Sequence, residues 1–301
     1  MKIPAALTTS PILAWFFVSI WGSGYIATKA GLQYAAPFTF LTLRFALGVL
    51  LLVPLAALWH RRAPLRWPDT PRQWLHVTLA GLLMHAANLG GSHYAQYLGM
   101  SAGVVALVLA AQPLATAILA MPLLRERLGG WQWLGVLLGL CGVALVVWHK
   151  IDVRAITWSA LTAVMVSLVS ITIATLYQRV FCPAVDLRAA TVVQFVATLL
   201  LLAPLAFAVE GFHVQWSWVL LAAVAFLVVF ASIFAVNALH TLMRRGEATR
   251  VTALLYLTPI FAVILEWLLF AVVPTPLTVV GMVVACAGVA LAAWRPVPVG
   301  A

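Results

Sequence analysis

Charge, and acidic charge above all, is what this chain has least of. Its 301 residues hold seven Asp and Glu against seventeen Lys and Arg, so that 8% are charged where a soluble domain carries about 25%. With 65% of the residues hydrophobic, too few polar side chains exist to cover a water-facing surface, and the remainder must face lipid. The shortage of acids leaves a formal net charge of +10. The basic residues are scattered between apolar runs, not gathered into a patch with interleaved aromatics, which argues against nucleic acid as a partner. Three cysteines cannot form a disulfide framework, and Cys141 and Cys286 lie inside apolar stretches, where a thiol is a small hydrophobe. HExxH is absent, as is any glycine loop with a lysine for ATP, so neither a metal, another cofactor nor a primary pump is expected.

What the chain does have is long apolar runs. A bilayer core about 30 Å thick takes roughly 20 residues of helix. Ten runs of about that length stand between polar breaks, at 11–30, 37–59, 74–94, 101–124, 131–148, 155–178, 189–209, 216–240, 249–271 and 277–294. The expected fold is therefore an all-α membrane protein with ten transmembrane helices. The first run is too long for a signal peptide and lacks a clear cleavage site, so it reads as the first helix. Lysine and arginine in short loops stay on the cytoplasmic side during insertion. With the N-terminus inside, thirteen fall on inner ends and loops (Lys2, Arg61, Arg62, Arg66, Arg72, Arg125, Arg127, Arg179, Arg188, Arg244, Arg245, Arg250 and Arg295) and three outside (Lys29, Lys150 and Arg154). Both termini are predicted to be cytoplasmic.

The chain also repeats itself. GVALVVW at 142–148 returns as GVALAAW at 288–294, and the same offset of 146 pairs Pro113 with Pro259 and Gly135 with Gly281, giving 13 identities over the 48 residues 101–148. RFALGVLLLVPLA from Arg44 returns as QFVATLLLLAPLA from Gln194 at an offset of 150. Two five-helix copies follow, residues 1–150 and 151–301. Five is odd, so the second copy enters the membrane in the opposite sense. The charges agree: the inner Arg125-Glu126-Arg127 corresponds to the uncharged Ala271-Val272-Val273 outside. Inverted repeats are characteristic of secondary transporters, because a two-fold axis in the membrane plane makes inward-open and outward-open states near mirror images.

These residues resemble the drug/metabolite transporter superfamily, specifically its ten-helix EamA-type exporters. WGSGYIATKAGL at 21–32 looks like the family's first-helix signature, FLTLRFALGVLLL at 40–52 its second-helix arginine segment, and RERLGGWQWLGVLLGLCGVALVV at 125–147 its glutamate followed by a glycine-spaced helix. YLTPIFAVILEWLLF at 256–270 is similar to its ninth helix, but AVVPTP at 271–276 stands where the family commonly repeats the glutamate. The resemblance implies a multi-pass protein of the bacterial inner membrane that exports small metabolites, amino acids and aromatic ones prominent among them, by alternating access around a central cavity.

Polar side chains at membrane depth need a partner, a wet cavity or a function. Gly81, His85, Asn88 and Ser92 are spaced four, three and four apart, on one face of a regular helix. His85 and Asn88 are candidates to line the cavity, or else bond helix to helix. Pro113 and Pro259 break their helices at equivalent positions and free carbonyls for a ligand, or kink the chain. Gln112 and Tyr256 flank these breaks, and Trp21, Ser23 and Tyr25 add an aromatic and hydroxyl lining beside Gly22 and Gly24. Asn237 and His240 rank lower. Glu266 is the acid deepest in a span, a candidate for proton coupling or for a fixed ion pair with Arg44 or Lys29. Gly99-Met-Ser-Ala-Gly103 fits G-x-S-x-G, but a nucleophile elbow needs a strand before the serine. A membrane enzyme using Ser101 or His93 is the rival reading. So is a carrier of drugs, nucleobases, nucleotide sugars or triose phosphates, although a phosphorylated substrate would want several buried cations. The spacing Gly135 to Gly139 permits close helix contact within one chain or in a homodimer.

Overall fold

The computed structural model describes residues 10–62, 64–124, 129–152, 156–183, 185–230 and 258–293. Among them every regular element is helical: α1 (Ser10–Gly31), α2 (Pro37–Arg62), α3 (Pro71–Gly81), a π-helical turn (Leu82–Ala87), α4 (Asn88–Tyr97), α5 (Ala102–Leu109), α6 (Gln112–Leu124), α7 (Gly130–Asp152), α8 (Trp158–Phe181), α9 (Leu187–Glu210), α10 (Trp218–Phe226), α11 (Thr258–Phe270) and α12 (Pro276–Ala293). Three stretches, Pro37–Arg61, Trp158–Phe181 and Leu187–Glu210, are each long and apolar enough to cross a membrane. The helices start where the sequence supplies caps. Thr70, Ser101, Thr157 and Ser217 each accept a backbone N–H three residues on, and Gly211 closes α9 in the left-handed region at φ 67°, as capping chemistry requires. Trp74, Trp131, Trp158 and Trp218 stand exposed in first turns, where an indole belongs if the helix end lies at a membrane surface.

The chain folds as two compact units, each assembled from both sequence copies. The first unit is Met1–Ile26, Ser101–Ile156 and Phe234–Ala301; the second is Ala27–Met100 and Thr157–Ile233.

In the first unit, α7 and α12 pack backbone on backbone. A Cβ on Gly142 would overlap the Ala285 nitrogen and lie 2.5 Å from the Gly281 carbonyl, and one on Gly288 would overlap the Gly139 nitrogen and lie 2.7 Å from the Gly135 carbonyl. The Gly135 to Gly139 spacing therefore serves a contact inside the chain. The pattern is also reciprocal and antiparallel: Gly142 meets Gly281 while Gly135 meets Gly288, and the repeat offset exchanges the two pairs.

In the second unit, α2 lies antiparallel on α9. Leu41, Phe45, Leu52 and Ala56 of α2 bury one face against Ala189, Val192, Phe195 and Leu202 of α9. α4 runs close along α8, where a Cβ on Gly91 would lie 2.5 Å from the Ala163 carbonyl. Near the other end of α2, an antiparallel bridge between Ala35 and Val214 joins the turn before α2 to the turn after α9.

Candidate functional site

The third apolar run is not one regular helix. Between α3 and α4 the turn Leu82–Ala87 is π-helical, and residues 227–230, one repeat offset away, are π-helical too. A π turn costs helix geometry and recurs at functional positions. It also changes register. Gly81 sits on α9, where an added Cβ would lie 2.6 Å from Gln194 Cβ, while Asn88 faces α8. The four residues that a regular helix would align thus look at different neighbours.

His85 is on this turn. Its ring centroid is 5.6 Å from that of Phe45 and 5.1 Å from that of Phe195, the latter edge-on, and it is within hydrogen-bonding reach of Gln194. Phe45 and Phe195 meet at 5.0 Å, close to perpendicular. Arg44 holds its guanidinium carbon 6.0 Å from the Phe45 ring centre, and Lys29 is half-buried in the last turn of α1. The arrangement is an aromatic pair with an imidazole and a guanidinium beside it. Gln194 Nε2 and Thr198 Oγ1, one turn apart on α9, are buried and make no hydrogen bond among the described residues, although an unmade buried bond costs about 1–3 kcal/mol.

Asn88 is engaged elsewhere. Its side-chain nitrogen donates to the Met84 carbonyl at 3.1 Å, and the Ser167 hydroxyl of α8 lies 2.7 Å from both its backbone oxygen and its Oδ1. Ser92 donates to the Leu89 carbonyl and stands 3.3 Å from His93 Nδ1. His93 itself is buried.

In the first unit, the fourth run breaks where proline forbids a helix bond. α5 ends at Leu109, residues 110 and 111 form a turn, and α6 restarts at Gln112 with Pro113 second. Pro113 has no N–H for the Leu109 carbonyl four residues back. Pro259 is the second described residue of α11. α1 reaches this start closely: a Cβ on Gly22 would lie 2.8 Å from Phe261 Cδ1 and 3.3 Å from the Thr258 carbonyl. On the same stretch Trp21 and Tyr25 lie within hydrogen-bonding reach one turn apart, and Ser23 donates to the Ser19 carbonyl at 2.6 Å. Tyr256, Asn237 and His240 lie outside the described residues.

Glu266 is 2% exposed, and its two carboxylate oxygens accept the backbone N–H groups of Ala102 and Gly103, each at 2.9 Å. A carboxylate thus caps the positive end of α5. Ser101, of the G-x-S-x-G match, is the N-cap of the same helix and accepts from Val104 at 3.3 Å; helix and turn precede it, not a strand.

Glu210 does for α2 what Glu266 does for α5, and sequence reasoning missed it. Its carboxylate accepts from Phe38 N at 2.9 Å and from both the N–H and the hydroxyl of Thr39 at 2.8 Å, with the Tyr94 hydroxyl at 3.2 Å. Asp186 caps α9 by accepting from Arg188 N at 2.8 Å, and also pairs with the Arg188 guanidinium at 3.0 Å. That hydrogen bond to Arg188 holds its carboxyl below the usual range. Among the described residues, three acids therefore sit on helix N-termini.

The pattern of the EamA-like transporter family matches residues 9–148 and again 158–294. The chain is 28% identical over 254 residues to the uncharacterized inner membrane transporter YedA of Escherichia coli strain K12, covering 82% of this chain and 78% of that one. It is 28% identical over 272 residues to the uncharacterized transporter sll0355 of Synechocystis, covering 83% and 79%. A shorter likeness, 31% over 137 residues and 45% of this chain, is to the "Probable amino-acid metabolite efflux pump" of Escherichia coli strain K12, of which it covers 42%. A solved crystal structure aligns with a TM-score of 0.66 over 95% of this chain and 97% of that one at 18% identity, a likeness of fold.

Proposed function

The chain belongs to the EamA-like transporter family and is a membrane-embedded transporter; on that premise we propose that it is a ten-span secondary carrier of the bacterial inner membrane that exports amino acids or related amphipathic metabolites. The observation that carries the substrate class is His85 on its π turn, set against Phe45 and Phe195 with Arg44 beside them. A guanidinium suits a carboxylate and an aromatic pair suits an apolar or aromatic side chain. One relative's printed name points the same way.

Alternating access between two inverted copies, 1–150 and 151–301, is supported by how equivalent helices meet. Phe45 and Phe195 are repeat equivalents in contact, and the glycine contacts of α7 and α12 are reciprocal. Both are what a two-fold axis between antiparallel equivalents requires. With five spans in each copy, both termini lie on one side, which the lysine and arginine bias makes the cytoplasm.

In this reading His85 with Arg44 contacts substrate in the second unit, and Trp21, Ser23, Tyr25, Gln112 and Tyr256 line the path around the breaks at Pro113 and Pro259. Asn88 holds α4 on α8. Glu266 gates, through its grip on α5, and Lys29 tunes the charge at the end of α1. No catalytic role is assigned to Ser101, whose oxygen caps a helix. The test is counterflow: proteoliposomes loaded with a panel of amino acids should accumulate labelled tracer of one class, and His85→Ala should abolish accumulation in protein that still inserts and elutes as a single species. A panel of amino acids that drives no accumulation removes the substrate assignment.

A further inference from the structure

We propose that the second unit carries a binding site for an anionic phospholipid, at the end of the unit where α3 begins and α8 ends. A groove of about 410 Å³ opens there, lined by Arg72, Gln73, His76, Phe181, Cys182 and Val185 among others. Its polar side comes from the first turn of α3. Gln73 Oε1 is held by the Asp69 N–H at 2.7 Å, so the amide group left to it is a donor, next to the exposed guanidinium of Arg72. Its apolar side comes from α8 and the chain just after it. His76 joins the two: its ring stacks on Phe181 at 4.9 Å and its Nδ1 lies 2.6 Å from the Tyr177 hydroxyl.

Two features name the occupant. The first is charge. Exposed at this end of the unit are Arg61, Arg66, Arg72, Arg179 and Arg188, of which Arg72 lines the groove, against the exposed Asp69 and the half-buried Asp186, the latter already paired with Arg188. Clustered arginines at a membrane surface attract anionic headgroups, and they repel the ammonium of a zwitterionic lipid. The second is the apolar track that leaves the groove. Phe181, Ile173, Val169 and Val166 are all exposed on α8, and Tyr177 fills the gap between the first two, so the series recurs every three or four residues up one face. From Phe181 to Val166 the helix rises about 22 Å, enough to accompany an acyl chain through a leaflet about 15 Å deep. A free phosphate would use the arginine and leave the track idle; a phosphodiester with tails uses both.

The site does not depend on what the protein carries, and binding is read without transport. The full chain, purified in detergent and stripped of lipid, is offered phosphatidylglycerol or phosphatidylcholine, and retention is measured by native mass spectrometry. Phosphatidylglycerol should be retained about tenfold more strongly, and Arg72→Gln, on an exposed residue, should lose most of that preference while Arg72→Lys keeps it. Inorganic phosphate at the same molar ratio should not displace the lipid. A photoreactive phosphatidylglycerol should label 70–76 and 166–185 in the unaltered chain, so the assignment does not rest on a variant. Equal retention of the two lipids, Arg72→Gln binding like the parent, displacement by phosphate, or labelling confined to other segments would each overturn the proposal.

Discussion

Phe45 and Phe195 hold the same place in the two copies of the repeat and pack against each other, ring centroids 5.0 Å apart at 81°. Each also touches His85, so one imidazole is framed by a residue and its own counterpart. Both rings are buried. Truncating either to alanine should cost about 3–5 kcal/mol, and the double variant should fall short of the sum by about 0.5–1.5 kcal/mol, the worth of an aromatic pair. Denaturant unfolding in detergent reads both quantities. Additive losses would mean that the rings do not couple.

Glu266→Gln should destabilise by about 1.5–3 kcal/mol, because an amide offers one acceptor oxygen where Ala102 and Gly103 present two donors, and its NH2 faces the second. Thermal unfolding should fall by several degrees, with counterflow and pH-driven uptake reduced in proportion. The opposite pattern is equally readable. If the variant kept its melting temperature and counterflow but lost pH-driven accumulation, Glu266 would be a proton carrier and not a clasp.

Much of this was legible in the sequence, and the remainder was hidden for identifiable reasons. Composition alone shows a chain that must face lipid, and proline chemistry places the break before Gln112, since both act locally. Glu210 was passed over because its partners, Phe38 and Thr39, lie some 171 residues away, and a glutamate ending an apolar run looks like an ordinary interfacial charge. Ser167 escaped for the same reason, 79 residues from Asn88. The regular spacing of Gly81, His85, Asn88 and Ser92 misled in a different way: period counting assumes 3.6 residues per turn, and the π turn between them breaks that count. Gln194 did leave a signal, as the residue standing where the other copy has Arg44.

Acid should loosen the start of α9. Because Asp186 has a lowered pKa in the folded chain through its bond to Arg188, its contribution is present above the ordinary carboxyl range and fades as pH falls toward the lowered value. Asp186→Asn keeps a good cap but loses the pair, so at neutral pH it should sit a few tenths of a kcal/mol below the parent. The two should converge as the pH falls through that lowered value. Unfolding curves taken from pH 7 downward make the comparison; a gap that persists once the carboxyl is protonated would place the effect outside the carboxylate.

Glycine substitutions should divide sharply by position. Gly142→Val and Gly288→Val drive a side chain into the backbone of the facing helix, and neither should yield folded protein. Gly130→Ala, at the exposed first residue of α7 with nothing within 4 Å of an added Cβ, should fold and melt as the parent does. Expression with fluorescence-detected size exclusion separates the three in one experiment.

The glycine seam has a mechanical meaning as well. Two helices that touch through side chains can slip, since rotamers rearrange as ridges pass. Here Gly142 lies against the backbone of Gly281 and Ala285, and Gly288 against that of Gly135 and Gly139, with the Val146 side chain seated over Gly281, and a shift of one residue would swing a further leucine or valine into the contact. The pair works as a keyed shaft, fixed in axial register. Whatever bends within the first unit must then bend at joints that lack such a key, of which the interrupted run between Leu109 and Gln112 is the plainest.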